Sequence, residues 1–248
     1  MSLAHISKLT YIRIKTALAL KNLIKNLTHW VGYHISQHRD PYQDIKSNIK
    51  SDTGLIIFDV GANTGQTITR LRKNFAHSQI HVFEPARDLF KALELTYSSC
   101  ASIYLNQCAL GAVSGTQEFK EAGATVMSSL LEPAQHGWDG KGWTDIKCVY
   151  PVSIKTVDGY CAENNIEAID ILKTDTQGYD LEVLKGAERM LRGRRIRFIY
   201  LEINFDEMYE GQASFDDIYR FLSDRGFELR SPYEVHARYM DCLFVNSR

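Results

Sequence analysis

The stretch Phe58-Asp59-Val60-Gly61-Ala62-Asn63-Thr64-Gly65 stands between an apolar run, 55–60, and a helix-patterned segment, 66–75. Glycines at a strand-to-helix turn let the backbone adopt positive φ and approach a ligand closely. The helix that follows offers free N–H groups and the positive end of its dipole. The spacing is GxxxG, so the GxGxxG dinucleotide fingerprint is not met, and no Gly-Lys-Ser/Thr follows to make a nucleotide P-loop. Asp59, closing the strand, is poorly placed beside a phosphate and well placed to accept from an amino group, directly or through a water. Nineteen residues beyond Gly65 the next apolar run, 79–84, ends in Glu84 and is followed by Pro85. A carboxylate at the tip of a second strand can take both hydroxyls of a ribose. Loop and acid together point to an adenosine-containing ligand without phosphates.

Outward from this turn, short apolar segments alternate with amphipathic ones. Strands are expected at 55–60, 79–84, 102–106, 168–174 and 197–203, with helices at 66–75, 87–97, 179–191 and 215–225. The last helix opens on Ser214 with Asp217 three residues on, a capping-box pattern, and its Phe215, Ile218, Tyr219 and Leu222 share one face. Such alternation predicts an α/β fold with a parallel sheet covered on both sides. The tail differs: 227–230 and 242–246 read as strands joined by too short a connection for a crossover helix, so antiparallel pairing is expected.

A length of 248 residues fits one domain with an appendage. A formal charge of −1, from 29 basic and 30 acidic side chains, gives no support for a nucleic-acid partner. That balance hides an asymmetry, since residues 1–50 carry +6 and residues 51–248 carry −7. Leu9, Ile12, Leu20, Leu23, Leu27 and Trp30 recur at spacings of three and four, with Thr16 in the one skipped place, and predict a basic amphipathic helix over 5–32. Residues 1–50 are read as a helical extension and 51–248 as the main domain. The extension is expected to pack on its own domain or to mediate a homo-oligomer, with peripheral contact to an anionic membrane as the alternative. Five cysteines without a CxxC pair argue against a disulfide framework or a zinc site. Reduced thiols and a cytoplasmic location are expected, with no secretory signal and no membrane span.

The segment Asp59-Val60-Gly61-Ala62-Asn63-Thr64-Gly65 resembles the S-adenosylmethionine loop of class I methyltransferases, and the wider set resembles the FkbM-type family. The supporting pieces are Phe83-Glu84-Pro85, Ala109-Leu110-Gly111, Ser128-Ser129-Leu130, Thr156-Val157-Asp158 and the run from Leu172 through Lys173, Asp175, Gln177 and Tyr179 to Gly186. They keep a consistent order over about residues 53–230. Thr174 stands where many members carry an aliphatic residue. The resemblance implies a Rossmann-like, mostly parallel seven-stranded sheet and transfer of a methyl group to a hydroxyl of a sugar, glycan or secondary metabolite. Glu84 and Pro85 would meet the ribose, and Asp59, Gly61, Ala62, Asn63, Thr64 and Gly65 would form the methionine-end loop. The backbone at Cys108 and Ala109 would meet adenine. Ser128, Ser129 and Gln177 would belong to the acceptor pocket.

In open α/β sheets the ligand lies beyond the carboxyl ends of the strands at the switch point. Asp59 and Asp175 are expected to face one crevice there. Lys173 and Asp175 are two apart and emerge on one face of their strand. A lysine in a buried strand needs a counter-charge, for which Asp175 or Glu202 is expected. Either Lys173 or Asp175 could orient an acceptor hydroxyl, with Asp175 or His136 taking its proton. As an alternative, Asp175, Glu202 and Asn204 could present oxygens to magnesium. In the insert 123–147, His136, Trp138 and Trp143 lie among three glycines and read either as a lid whose flat faces suit a sugar ring or as an anchored surface loop. Two rivals to a methyltransferase are a nicotinamide-dependent dehydrogenase and a binding or scaffold module that keeps the fold without catalysis.

Overall fold

The computed structural model describes residues 40–49, 51, 53–134 and 145–247. The helix expected over 5–32, and His136, Trp138 and Trp143, lie outside the described residues. A short helix, α1 (Pro41–Ser47), comes first; Asp40 caps it by accepting from the Tyr42 N–H at 3.0 Å, and Pro41 takes the opening turn, where a missing N–H costs nothing. Then follow β1 (Ile56–Val60), α2 (Gln66–Asn74), β2 (Gln79–Phe83), α3 (Arg87–Tyr97) and β3 (Ile103–Asn106). After a second small sheet come α4 (Val157–Glu163), β7 (Ile169–Thr174), α5 (Asp180–Lys185), α6 (Glu188–Arg192), β8 (Ile196–Asn204), α7 (Phe215–Ser223), β9 (Phe227–Tyr233) and β10 (Tyr239–Asn246).

The main sheet has seven strands in the order β3-β2-β1-β7-β8-β10-β9. The five strands from β3 to β8 run parallel, and β10 lies antiparallel between β8 and β9. All five parallel strands begin and end within one residue of the expected places. The four inner ones, β2, β1, β7 and β8, are largely buried on both sides and read as mainly apolar runs, whereas edge strand β3 leaves Tyr104 exposed. Phe58, Leu172 and Ile199 face the layer made by α4 to α7, while Ile57, Ile171 and Phe198 face α1 to α3. Winding proceeds outward from β1 through β2 to β3, and in the other direction from β7 to β8. The switch point is therefore the β1/β7 pair, where Asp59 stands opposite Lys173 and Val60 opposite Thr174.

Three features depart from the sequence reading. Residues 179–191 form two helices rather than one, because Asp158 takes the N–H groups of Arg189 (2.7 Å) and Met190 (3.1 Å) and so starts α6 afresh. A three-stranded sheet, ordered β4-β6-β5, is built from β4 (Ala109–Leu110), β5 (Gly115–Ala122) and β6 (Ile146–Lys155). β5 is mostly polar and β6 buries only alternate residues, Tyr150, Val152 and Ile154, so neither shows the continuous apolar run of the inner strands. Finally, α1, which falls within the stretch read as an extension, buries Tyr42 and Ile45 against residues of the main sheet. The capping box at α7 forms as expected, with Ser214 and Asp217 bonding each other's backbone N–H. Of the five cysteines, all free, Cys108, Cys161 and Cys242 are buried, Cys100 is half-buried and Cys148 is exposed.

Candidate active site

At the end of β1 the chain turns through Gly61 (φ +75°), whose Cα lies so close to the Asp175 carbonyl that a Cβ would sit 2.0 Å from that oxygen. No other residue fits there. The Gly61 and Ala62 N–H groups donate to the Phe83 carbonyl (3.0 and 3.3 Å), and the Asp175 N–H donates to the Val60 carbonyl (3.1 Å). The loop is thus tied to β2 on one side and to the end of β7 on the other. Asn63 (φ 49°) and Gly65 (φ 83°) complete the turn into α2.

Glu84 ends β2 in the expected position and is only 4% exposed. Its two carboxyl oxygens accept from the Asn63 N–H (2.7 Å) and the Ala86 N–H (2.8 Å). Burial outweighs these bonds and pushes its pKa up to about 7. A carboxylate has about four acceptor positions, so two remain for a ligand. Glu84 opens on a cleft bounded by the Gly61 turn, the end of β2 and the loop after β7. Phe83, Leu89, Leu110, Phe119 and Leu130 supply its apolar wall. Of the residues singled out from sequence, Gly61, Asn63, Glu84, Pro85, Ala109, Ser128, Ser129, Asp175 and Gln177 line it.

Among the described residues, the others lie behind or away from the cleft wall. Ala62 and Cys108 are buried, and the Thr64 hydroxyl is bonded to the Gln66 side chain (2.7 Å). Asp59 is fully buried beneath the loop, facing Lys173 Nζ at 3.1 Å. Lys173 also donates to the Gly61 carbonyl (3.0 Å) and stands 3.9 Å from Asp175. Its nearer counter-charge is therefore Asp59, which the sequence did not point to; the expected pairing with Asp175 is present at longer range, and none forms with Glu202. Asp59 is 114 positions away in sequence and is delivered by the β1/β7 register. Burial works against the charge, yet Asp59 and Asp175 hold the ammonium above the ordinary lysine range.

Gln177 sits in the loop after β7 with φ 53°, an unusual backbone for a side chain of this kind. Its Nε2 donates to Asp175 Oδ1 (2.9 Å) and Glu202 Oε1 (3.3 Å), and its Oε1 accepts from the Tyr209 hydroxyl (3.1 Å). The Ser129 hydroxyl donates to the Gln177 carbonyl (2.8 Å), which ties the insert to this loop; the Ser128 hydroxyl accepts from the Ala122 N–H (3.1 Å). Burial, together with Asp175, Asp241 and Asp180, pushes Glu202 up to about 9. An amide thus bridges Asp175 and Glu202, and among the described residues no three acidic, histidine or cysteine side chains converge as metal ligands. Sequence reasoning missed Tyr179, Phe119 and Val126 of the wall, and Tyr209 behind it. Phe119 is the lone large apolar residue of a solvent-facing strand, and Tyr209 lies in a connection without periodicity.

The strand order, the loop at the switch point and the acid ending β2 define a class I methyltransferase. The chain belongs to the methyltransferase FkbM domain family, which it matches over residues 59–229, and is an S-adenosylmethionine-dependent methyltransferase. It is 26% identical over 202 residues to the 2-O-methyltransferase NoeI of Sinorhizobium fredii, covering 78% of this chain and 80% of the relative. Two solved structures are similar to it over most of the chain. One is magnesium protoporphyrin IX methyltransferase of Synechocystis with bound donor (12% identity, 92% and 97% of the two chains, TM-score 0.46). The other is Aeropyrum pernix fibrillarin with natively bound donor (12% identity, 83% and 73%, TM-score 0.44).

Proposed function

We propose that this enzyme methylates a hydroxyl oxygen of a sugar, glycan or secondary-metabolite acceptor. Support comes from Asp175, a carboxylate on the wall of the same cleft as Glu84 and held in place by Gln177. The relative named as a 2-O-methyltransferase points the same way. The donor supplies a methyl group already activated on a sulfonium, so the protein's work is alignment. Glu84 has acceptor positions free for a ribose diol, the Gly61 turn presents backbone at the cleft wall for the methionine end, and the apolar wall suits adenine. A neutral hydroxyl is a poor nucleophile, and Asp175 accepts its proton as the new carbon–oxygen bond forms. Its side chain is 38% exposed, so the proton then leaves to water.

A panel of saccharides and hydroxylated metabolites incubated with methyl-labelled donor tests this reading. Label on a hydroxyl oxygen, lost in Asp175→Asn while donor binding persists, is the expected result. Label on nitrogen or carboxylate oxygen only would overturn it.

A further inference from the structure

We propose that Lys173 is a positioning residue for the donor: wedged between the Gly61 carbonyl and the Asp59 carboxylate, it holds the glycine loop in the shape that receives the donor's amino-acid end. The inference rests on the donor assignment above. It moves Lys173 from the acceptor to the donor, and Asp59 from direct contact to action through Lys173.

The geometry carries it. An ammonium has three N–H donors, and Lys173 meets Gly61 O at 3.0 Å, Asp59 Oδ1 at 3.1 Å and Asp175 Oδ2 at 3.9 Å. The peptide between Gly61 and Ala62 is consequently held at both polar atoms, its carbonyl by Lys173 and its N–H by the Phe83 carbonyl at 3.3 Å. A glycine at positive φ has the freest backbone of any residue, so a loop built on Gly61 needs such a clamp to keep one shape. Neither Lys173 nor Asp59 reaches the cleft wall, whereas Gly61 does. Stability alone is a weak explanation for the pair, because a buried ion pair often contributes no more than apolar residues of the same volume. Contact with a loop carbonyl is what apolar residues could not supply.

The test compares two ligands on the full chain by calorimetry: S-adenosylhomocysteine, which carries the amino-acid end, and adenosine, which lacks it. Lys173→Met should weaken S-adenosylhomocysteine at least tenfold and adenosine less than twofold. A merely structural role would weaken both alike. Removing Lys173 leaves Asp59 buried without its counter-charge, so Asp59→Leu with Lys173→Met serves as the second variant and should show the same selective loss with the melting temperature largely recovered. Equal losses for the two ligands, or unchanged S-adenosylhomocysteine affinity in either variant, would overturn the role. Failure of the wild type to bind either ligand is a separate result, and would overturn the donor assignment itself.

Discussion

Glu84 links the cleft to pH. Its carboxyl is buried, accepts two backbone N–H bonds and is pushed up to about 7. Ribose hydroxyls donate to the ionised form, so donor binding opposes protonation. Affinity for S-adenosylhomocysteine should be full above pH 7 and fall by up to about tenfold per pH unit below it. In Glu84→Gln that slope should vanish, along with much of the affinity, and calorimetry across pH 5.5–8.5 checks both. Gly61 makes a steric prediction instead. Gly61→Ala sets a methyl group against the Asp175 carbonyl and forces a side chain into positive φ. The backbone cost alone is about 1–3 kcal/mol, and the clash adds to it. Thermal melting should show the loss, and donor binding should disappear with it.

The elements show which kinds of information a linear pattern holds. Ser214→Ala should lower stability by about 0.5–2 kcal/mol through loss of the α7 cap, a drop of a few degrees by calorimetry, with donor affinity unchanged because α7 does not line the cleft. That cap was legible because both partners lie within four residues. The inner parallel strands were legible for a related reason: largely buried on both faces, they cannot avoid apolar runs. Gly61 and Glu84 were legible because strand ends and turns carry local chemistry. The Lys173–Asp59 pair was not, since register between β1 and β7 is a property of the assembled sheet. Nor was the Asp158 cap of α6, which joins residues about thirty apart. The small sheet escaped because solvent-facing strands such as β5 impose almost no demand on hydrophobicity.

At the scale of the molecule, the basic first fifty residues are not one piece. Tyr42 and Ile45 are buried with Tyr200 and Tyr233, and the Tyr233 hydroxyl donates to Asp44 at 2.7 Å. Of two shortened chains, the one starting at Arg39 should melt well above the one starting at Ser51, because losing a large buried apolar side chain typically costs about 2–5 kcal/mol. Differential scanning fluorimetry on the pair would show the gap, and equal melting would mean that α1 is dispensable. The strand order has a further consequence, one of timing. β10 is the last strand along the sequence, yet it lies inside the sheet and is the sheet neighbour of β9. During synthesis β8 must wait with an open edge, and β9 with no sheet neighbour, until Tyr239–Asn246 has left the ribosome and inserted between them. A chain stalled before Tyr239 therefore exposes strand edges of the kind that pair with other chains, so for this fold aggregation is closest in the interval before β10 has been added.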